Sequence, residues 1–171
     1  SSAASDVYKR QVDMISHAKT EMEIIKELTP NNKAYRSLTL SWFKNSPLYE
    51  FIKACQSEKF RLIVTTDHGT INVERPLQIK GKKDASSNLR YKSGRSMSYE
   101  KRKVVEVKDL NDFELPKSYM DSSFIFAKNN DYFIYQNNFN HFANLFNKTF
   151  QHGGISMEEM IIPFATFLPK K

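Results

Sequence analysis

Apolar positions in the first third of the chain recur every three to four residues, which is the period of an α-helix. One such run extends from Met14 to Leu28, and Pro30 stops it. A second run extends from Ala34 to Phe43. The pair Ser46-Pro47 predicts a third helix, because serine caps helix starts and proline fits the first helical position. We expect its buried face to carry Leu48, Phe51, Ile52 and Cys55.

Beyond residue 60 the apolar runs are short and rich in β-branched and aromatic residues, which is typical of strands. The run from Phe60 to Thr66 predicts a buried strand, and Pro163 to Leu168 predicts a final one. Residues 124–127 and 132–135 predict a hairpin that turns at 129–131.

Two further helices are predicted near the end of the chain. Residues 138–150 have an amphipathic helical pattern, and residues 156–161 begin with the capping-box pair Ser156 and Glu159. Helices therefore alternate with strands, and this order predicts an α/β layer structure.

Composition narrows the setting of the protein. A chain of 171 residues that is 40% hydrophobic forms one domain or part of one. No apolar run approaches the roughly 18 residues of a membrane-spanning helix, so we expect no membrane partner. The single Cys55, in apolar surroundings, predicts a buried thiol in the reducing cytoplasm. The first eleven residues have no clear period, and we interpret residues 1–11 as a disordered or artefactual leader.

The positive charge is concentrated in the segment from Glu74 to Lys108. Eleven basic and four acidic residues give this segment the whole net charge of +7. Few large apolar residues occur there before Val104, so we expect a loop or hairpin insertion with one or two short strands. Such a basic segment favours an anionic partner such as phosphate, a nucleotide or nucleic acid. A solvated lysine-rich loop is the alternative.

Three of the four histidines lie beside carboxylates or glycines. Asp13 and His17 are four residues apart, so on a helix they face one side. Asp67 and His68 directly follow a predicted strand, and His152 precedes two glycines. Each motif also has an ordinary explanation: an aspartate that caps a helix, an Asp-His-Gly turn, or a histidine near a helix end. We interpret His141, on the predicted helix 138–150, as a surface or packing residue.

Together the three motifs supply three imidazoles and two carboxylates. These are ligands suited to zinc or manganese, and the absence of cysteine argues against a structural thiolate zinc site.

The spacing Asp-x-x-x-His, Asp-His and His-Gly resembles the metal-ligand pattern of the alkaline phosphatase superfamily. Four longer stretches resemble the PglZ domain of that superfamily: AYRSLTLSWF at 34–43, TTDHGT at 65–70, RYKSGR at 90–95 and HGGISMEEMIIP at 152–163. The resemblance extends from about Val12 to the end of the chain. Within that family the chain most resembles the response regulators of the type IX secretion system, in which a receiver domain precedes the PglZ domain.

The resemblance implies two zinc or manganese ions on an α/β sheet flanked by helices. One ion would be held by Asp13, His17 and His152, and the other by Asp67 and His68. In the family, another Asp and a Thr or Ser nucleophile come from an earlier segment. We therefore expect residues 12–171 to be the carboxyl-terminal part of the domain, without the nucleophile and with weak or absent activity by itself.

The resemblance also implies a phosphodiesterase that cleaves linear or cyclic oligonucleotides. We expect Arg90, Lys92 and Arg95, in the basic loop, to bind the phosphates, since arginine grips phosphate bidentately and lysine acts as a point charge. The alternative is a non-catalytic regulatory module that binds a nucleotide, nucleic acid or a protein partner. The aromatic segment 124–150 would then offer a surface for homodimers, although core packing is the stronger expectation.

Overall fold

A computed structural model describes residues 31–81, 86–116 and 123–169. These residues form two compact units, one built from residues up to Thr66 together with those from Pro163 onward, the other from Asp67–Ile162. The leader and the predicted helix from Met14 to Leu28 lie outside the described residues.

The first unit begins with two helices, α1 (Asn32–Lys44) and α2 (Pro47–Ser57). The Ser46 side chain caps α2 by accepting a hydrogen bond from the Tyr49 N–H, and Pro47 takes the first helical position. The predicted second and third helices are therefore confirmed as α1 and α2. Cys55 is buried as predicted. Phe51, however, is 55% exposed, so the predicted buried face of α2 is only partly correct.

The first unit also contains the antiparallel pair β1 (Leu62–Thr65) and β9 (Phe164–Phe167). The predicted final strand is confirmed. The prediction that β1 is buried is wrong, because Ile63 and Val64 are 52% and 43% exposed. β-Branched residues favour extended backbone whether or not a layer covers them, so the run predicted conformation but not burial.

The second unit contains seven strands and two helices within its described residues. The strands are β2 (Ile71–Asn72), β3 (Arg75–Ile79), β4 (Tyr91–Gly94), β5 (Val104–Val107), β6 (Ser123–Ala127), β7 (Asp131–Tyr135) and β8 (Phe150–Gln151). The helices are α3 (Phe139–Phe146) and the one-turn α4 (Met157–Met160), with 3-10 turns at Lys101–Lys103 and Asn111–Phe113. The chain is therefore a mixed α/β structure, as predicted.

The second unit has three small sheets with different strand directions. β4, β6 and β5 form an antiparallel sheet with β6 at its centre. β3 and β7 pair in parallel, while β2 and β8 pair antiparallel.

The predicted hairpin of residues 124–127 and 132–135 is wrong in its pairing, although both strands exist. β6 pairs with β4 and β5, and β7 pairs with β3. The turn at 129–131 contains Asn129 with a positive φ of 46°, and the Asp131 N–H donates to the Lys128 carbonyl. Both strands are mostly apolar and nearly all buried, and the strand partners of each come from elsewhere in the chain.

The basic segment also contains more regular structure than predicted. β3, β4 and β5 all lie within it, where one or two strands and a long loop were expected. β4 has the sequence Tyr-Lys-Ser-Gly, without the apolar alternation that identifies a half-buried strand.

Aromatic and aliphatic side chains of the central strands form the core. Ile125 and Phe133 are fully buried and pack in one cluster with Ile79 and Val104. Tyr132 lies in a second cluster and donates a 2.6 Å hydrogen bond to the Ala143 carbonyl, which ties α3 to β7. Aromatic residues from the segment 124–150 thus supply much of the core. In the part of the chain that the structure describes, no helix is long and apolar enough to cross a bilayer.

Ile125→Ala should lower the free energy of unfolding by about 2–5 kcal/mol, because it leaves a cavity at the centre of β6. Val105→Ala on the neighbouring strand is the matched control, since Val105 is 36% exposed. Urea unfolding of both variants measures the difference. Equal losses would contradict the assignment of Ile125 to the core.

Candidate functional site

The antiparallel pairing of β2 with β8 brings two loops to one end of the strand pair. Ile71 pairs with Gln151, so the residues before Ile71 and those after Gln151 lie on the same side. His68 precedes β2 and His152 follows β8. The strand pairing therefore brings these two residues close together although they are far apart in sequence.

The two imidazole rings are stacked. Their centroids are 3.9 Å apart and the ring planes differ by 11°. Asp67 adds a carboxylate, with Oδ1 3.8 Å from Nε2 of His68, and its side chain is 89% exposed. The structure therefore brings together three of the five predicted ligands, Asp67, His68 and His152.

The His68 ring contacts the backbone of the next residue. Nδ1 lies 3.0 Å from the Gly69 carbonyl oxygen, which can only accept a hydrogen bond, so a bond between them has Nδ1–H as its donor. In that tautomer Nε2 is the ring nitrogen that can bind a metal ion.

Glycines permit the close approach of these loops. Gly153 has a φ of 97°, which is unfavourable for residues with a side chain, and it directly follows His152. A Cβ on Gly69 would lie 2.0 Å from the backbone oxygen of Glu158. The Asp-His-Gly and His-Gly-Gly motifs thus combine an imidazole with a backbone that other residues cannot adopt here.

Asn88, in the basic segment, is hydrogen-bonded to the backbone of His152. Its Nδ2 donates to the His152 carbonyl at 3.2 Å. Its Oδ1 accepts from the N–H groups of Arg90, at 2.7 Å, and Tyr91, at 3.2 Å. The chain at the start of β4 is thereby bonded to the histidine loop.

The Arg90 side chain is buried, although its backbone lies in the bend directly before β4. Its Nε and Nη2 donate to the two carboxylate oxygens of Glu159 at 3.0 and 2.9 Å, and Nη1 donates to the Asp131 carbonyl. The side chains of the pair are 0% and 1% exposed. Burial by itself raises the pKa of Glu159, but the hydrogen bond and charge of Arg90, with Gly154 and Ser156, hold the pKa below its ordinary value.

Lys92 is also buried, on β4. Its Nζ donates to the Ser86 carbonyl at 2.9 Å and lies 4.4 Å from the centre of the Tyr135 ring. Burial lowers the pKa of Lys92 to about 8. The predicted loop placement is therefore wrong for Lys92, which lies on β4, whereas Arg90 lies in the bend before β4 and Arg95 in the bend after it. Arg90 and Lys92 are buried, and Arg95 is half-buried. Phosphate binding by these residues stays a prediction, and the fold gives Arg90 and Lys92 other partners.

Asp13 and His17 lie outside the described residues, so the predicted five-ligand set stays a prediction. Among the described residues, no group of three or more His, Cys, Asp or Glu side chains is arranged to hold a metal ion. The pair Asp67 and His68 fits a shared ion, since their 3.8 Å separation is below the about 4.2 Å allowed by two bonds of about 2.1 Å.

Two residues near the histidines were not predicted as functional. Glu159 was identified only as part of a capping box, and Asn88 was not singled out at all. The cluster of glycines and paired glutamates after His152 was the available signal for Glu159. Nothing in the local sequence indicates that Asn88 bonds to a loop so far along the chain. His141 is exposed on α3, as expected.

The sequence matches the family described as the BREX system PglZ alkaline phosphatase-like domain over residues 3–167. No curated protein matches the chain.

Lys92→Met should remove a rise in stability at alkaline pH. The folded pKa is about 8 and the ordinary value is 10.5, so between these pH values the unfolded chain binds more protons than the folded one. Stability of the unaltered protein therefore increases as pH rises from about 8 to about 10.5. Urea unfolding across this range measures the slope, with the exposed Lys101→Met as control. The same slope in both variants would contradict the burial of Lys92.

Proposed function

Because the chain belongs to the PglZ alkaline phosphatase-like domain family, whose superfamily is of the phosphoesterase type, we propose that it contributes to a metal-dependent phosphodiesterase. The proposed substrates are linear or cyclic oligonucleotides. The observation that carries the proposal is the stacked pair His68 and His152, with Asp67 beside it.

The arrangement of Asp67, His68 and His152 supports the following ligand roles, and the roles of Asp13 and His17 rest on the resemblance alone. Asp67 and His68 bind one ion, and His152 binds the other with Asp13 and His17. The superfamily generally uses metal ions, and zinc or manganese is the identity we propose. Bound ions would supply a Lewis acid for the phosphoryl oxygens and lower the pKa of the attacking group. His68 contributes Nε2, because a hydrogen bond to the Gly69 carbonyl has Nδ1–H as its donor.

The charge distribution supports a substrate with several phosphates. The segment 74–108 carries the chain's net charge of +7, and Lys101 and Arg102 in it are exposed. Such a field raises the local concentration of polyanions and accelerates their association. Arg95 remains a candidate phosphate ligand at the end of β4.

Regulation is the further part of the proposal. The chain resembles response regulators of the type IX secretion system, such as PorX. This resemblance supports a cytoplasmic protein in which a receiver domain controls the PglZ domain and through it type IX secretion. Homodimer formation would be one means of transmitting the signal.

A non-catalytic module that binds nucleotides, nucleic acid or a protein partner is the second candidate function. The observation that favours it is the burial of Arg90 and Lys92, which leaves fewer cations to hold a transition state. The two candidates differ in turnover and not in binding, so a hydrolysis assay separates them.

Asp67→Ala and His68→Ala should each abolish hydrolysis by the full-length protein in which this sequence occurs. We expect losses greater than the about 10- to 100-fold that follows from changing an outer-shell partner of a metal ligand. The assay measures release of a chromogenic phosphodiester and cleavage of a short RNA, with zinc or manganese added.

His141→Ala is the matched control, because it removes an exposed imidazole from α3. It should leave the rate unchanged. Turnover that is equal in all three variants would show that these residues do not hold catalytic metal. Oligonucleotide binding without any turnover in the unaltered protein would favour the non-catalytic module.

A further inference from the structure

Glu159 is hydrogen-bonded to both loops that carry the candidate ligands. Its backbone oxygen accepts from the Gly69 N–H at 2.9 Å, directly after His68. Its carboxylate Oε1 accepts from the Gly154 N–H at 2.9 Å, two residues after His152. One residue thus bonds to the main chain beside each of the stacked imidazoles.

The orientation of the Glu159 side chain is itself fixed. Arg90 donates to both carboxylate oxygens, and the Ser156 N–H donates to Oε2 at 3.2 Å. A Cβ on Gly154 would lie 2.5 Å from Oε2, so only glycine allows this loop to approach the carboxylate so closely. Four donors therefore hold two oxygens in a site that excludes water.

A capping role alone does not account for this arrangement. Capping explains the bond from the Ser156 N–H, since Glu159 is the third residue of α4. It does not explain the bonds to Gly69 and Gly154, or the pairing with a buried arginine from the bend before β4. These three contacts share one consequence, which is that the loops of His68 and His152 are held together.

We propose that Glu159 is a positioning residue that sets the separation of His68 and His152, acting through the backbone of Gly69 and Gly154. Arg90 supports it by fixing the carboxylate. This role rests on the proposed function, because it concerns the placement of the ligands assigned there. Glu159 has no proposed contact with substrate.

Histidine-selective NMR tests the placement without any turnover. The chain has four histidines, so single substitutions assign the ring signals. Both carboxylate oxygens of Glu159 accept hydrogen bonds, so in Glu159→Gln the amide NH₂ faces donors whichever oxygen it replaces. In Glu159→Asp the side chain is one methylene shorter, so the carboxylate is withdrawn from these donors. Both variants should shift the ring signals of His68 and His152 and leave that of His141 in place.

Glu158→Gln is the matched control, because Glu158 is the exposed neighbour on the same helical turn. It should leave all ring signals unchanged. In the full-length protein, Glu159→Gln should weaken zinc binding by at most the about 10- to 100-fold known for partners bonded directly to a metal ligand, since Glu159 acts one step further out, through the backbone. Glu158→Gln should bind zinc as the unaltered protein does.

A folded Glu159→Gln variant whose His68 and His152 signals match those of the unaltered chain would overturn the proposal. If that variant does not fold, Glu159→Asp and amide hydrogen exchange in the unaltered chain decide the question. The Gly69 and Gly154 amides should exchange slowly, and exchange as fast as that of an exposed loop would also overturn it. Shifted signals in a full-length protein without phosphodiesterase activity would retain the positioning role and reject the proposed function.

Discussion

The buried ion pair between Arg90 and Glu159 is the interaction on which the second unit's histidine site depends. Removing both charges from water costs several kcal/mol per ion, and only well-placed partners offset that cost. Here the guanidinium donates to both carboxylate oxygens and to the Asp131 carbonyl, while two backbone N–H groups complete the carboxylate's shell. The pair thus links the bend before β4 to β7 and α4, and a polar network this well satisfied specifies one arrangement of the chain.

The candidate ligands need such support because they lie in loops. β2 and β8 are two-residue strands, so their ladder alone provides little stabilisation. Asn88 adds a bond to the His152 carbonyl, and Glu159 adds bonds on both sides. The imidazoles are therefore held through their backbones, and the exposed Asp67 completes a set of donors that a cation can reach.

How much the sequence could predict depended on whether the controlling contacts were local. The Ser46-Pro47 cap, the strand β9 and the position of Asp67-His68 shortly after β1 were predictable, because caps and short apolar runs act over a few residues. The β6–β7 hairpin was predicted wrongly, since apolar runs identify strands but not their partners. Arg90 was predicted to bind phosphate, whereas its side chain is buried against Glu159, a partner distant in sequence. The stacking of His68 on His152 likewise depends on the β2–β8 register, which no local motif encodes.

A double-mutant cycle on Arg90→Met and Glu159→Gln, measured by urea unfolding, tests the central claim most directly. Each single change leaves a buried charge or its hydrogen-bonding groups without a partner, so each should cost about 3–5 kcal/mol. The account predicts that the double variant loses less than the sum of the two single losses, by about 0.5–3 kcal/mol, because the same pair is broken each time. Strictly additive losses, or single variants as stable as the unaltered protein, would contradict it.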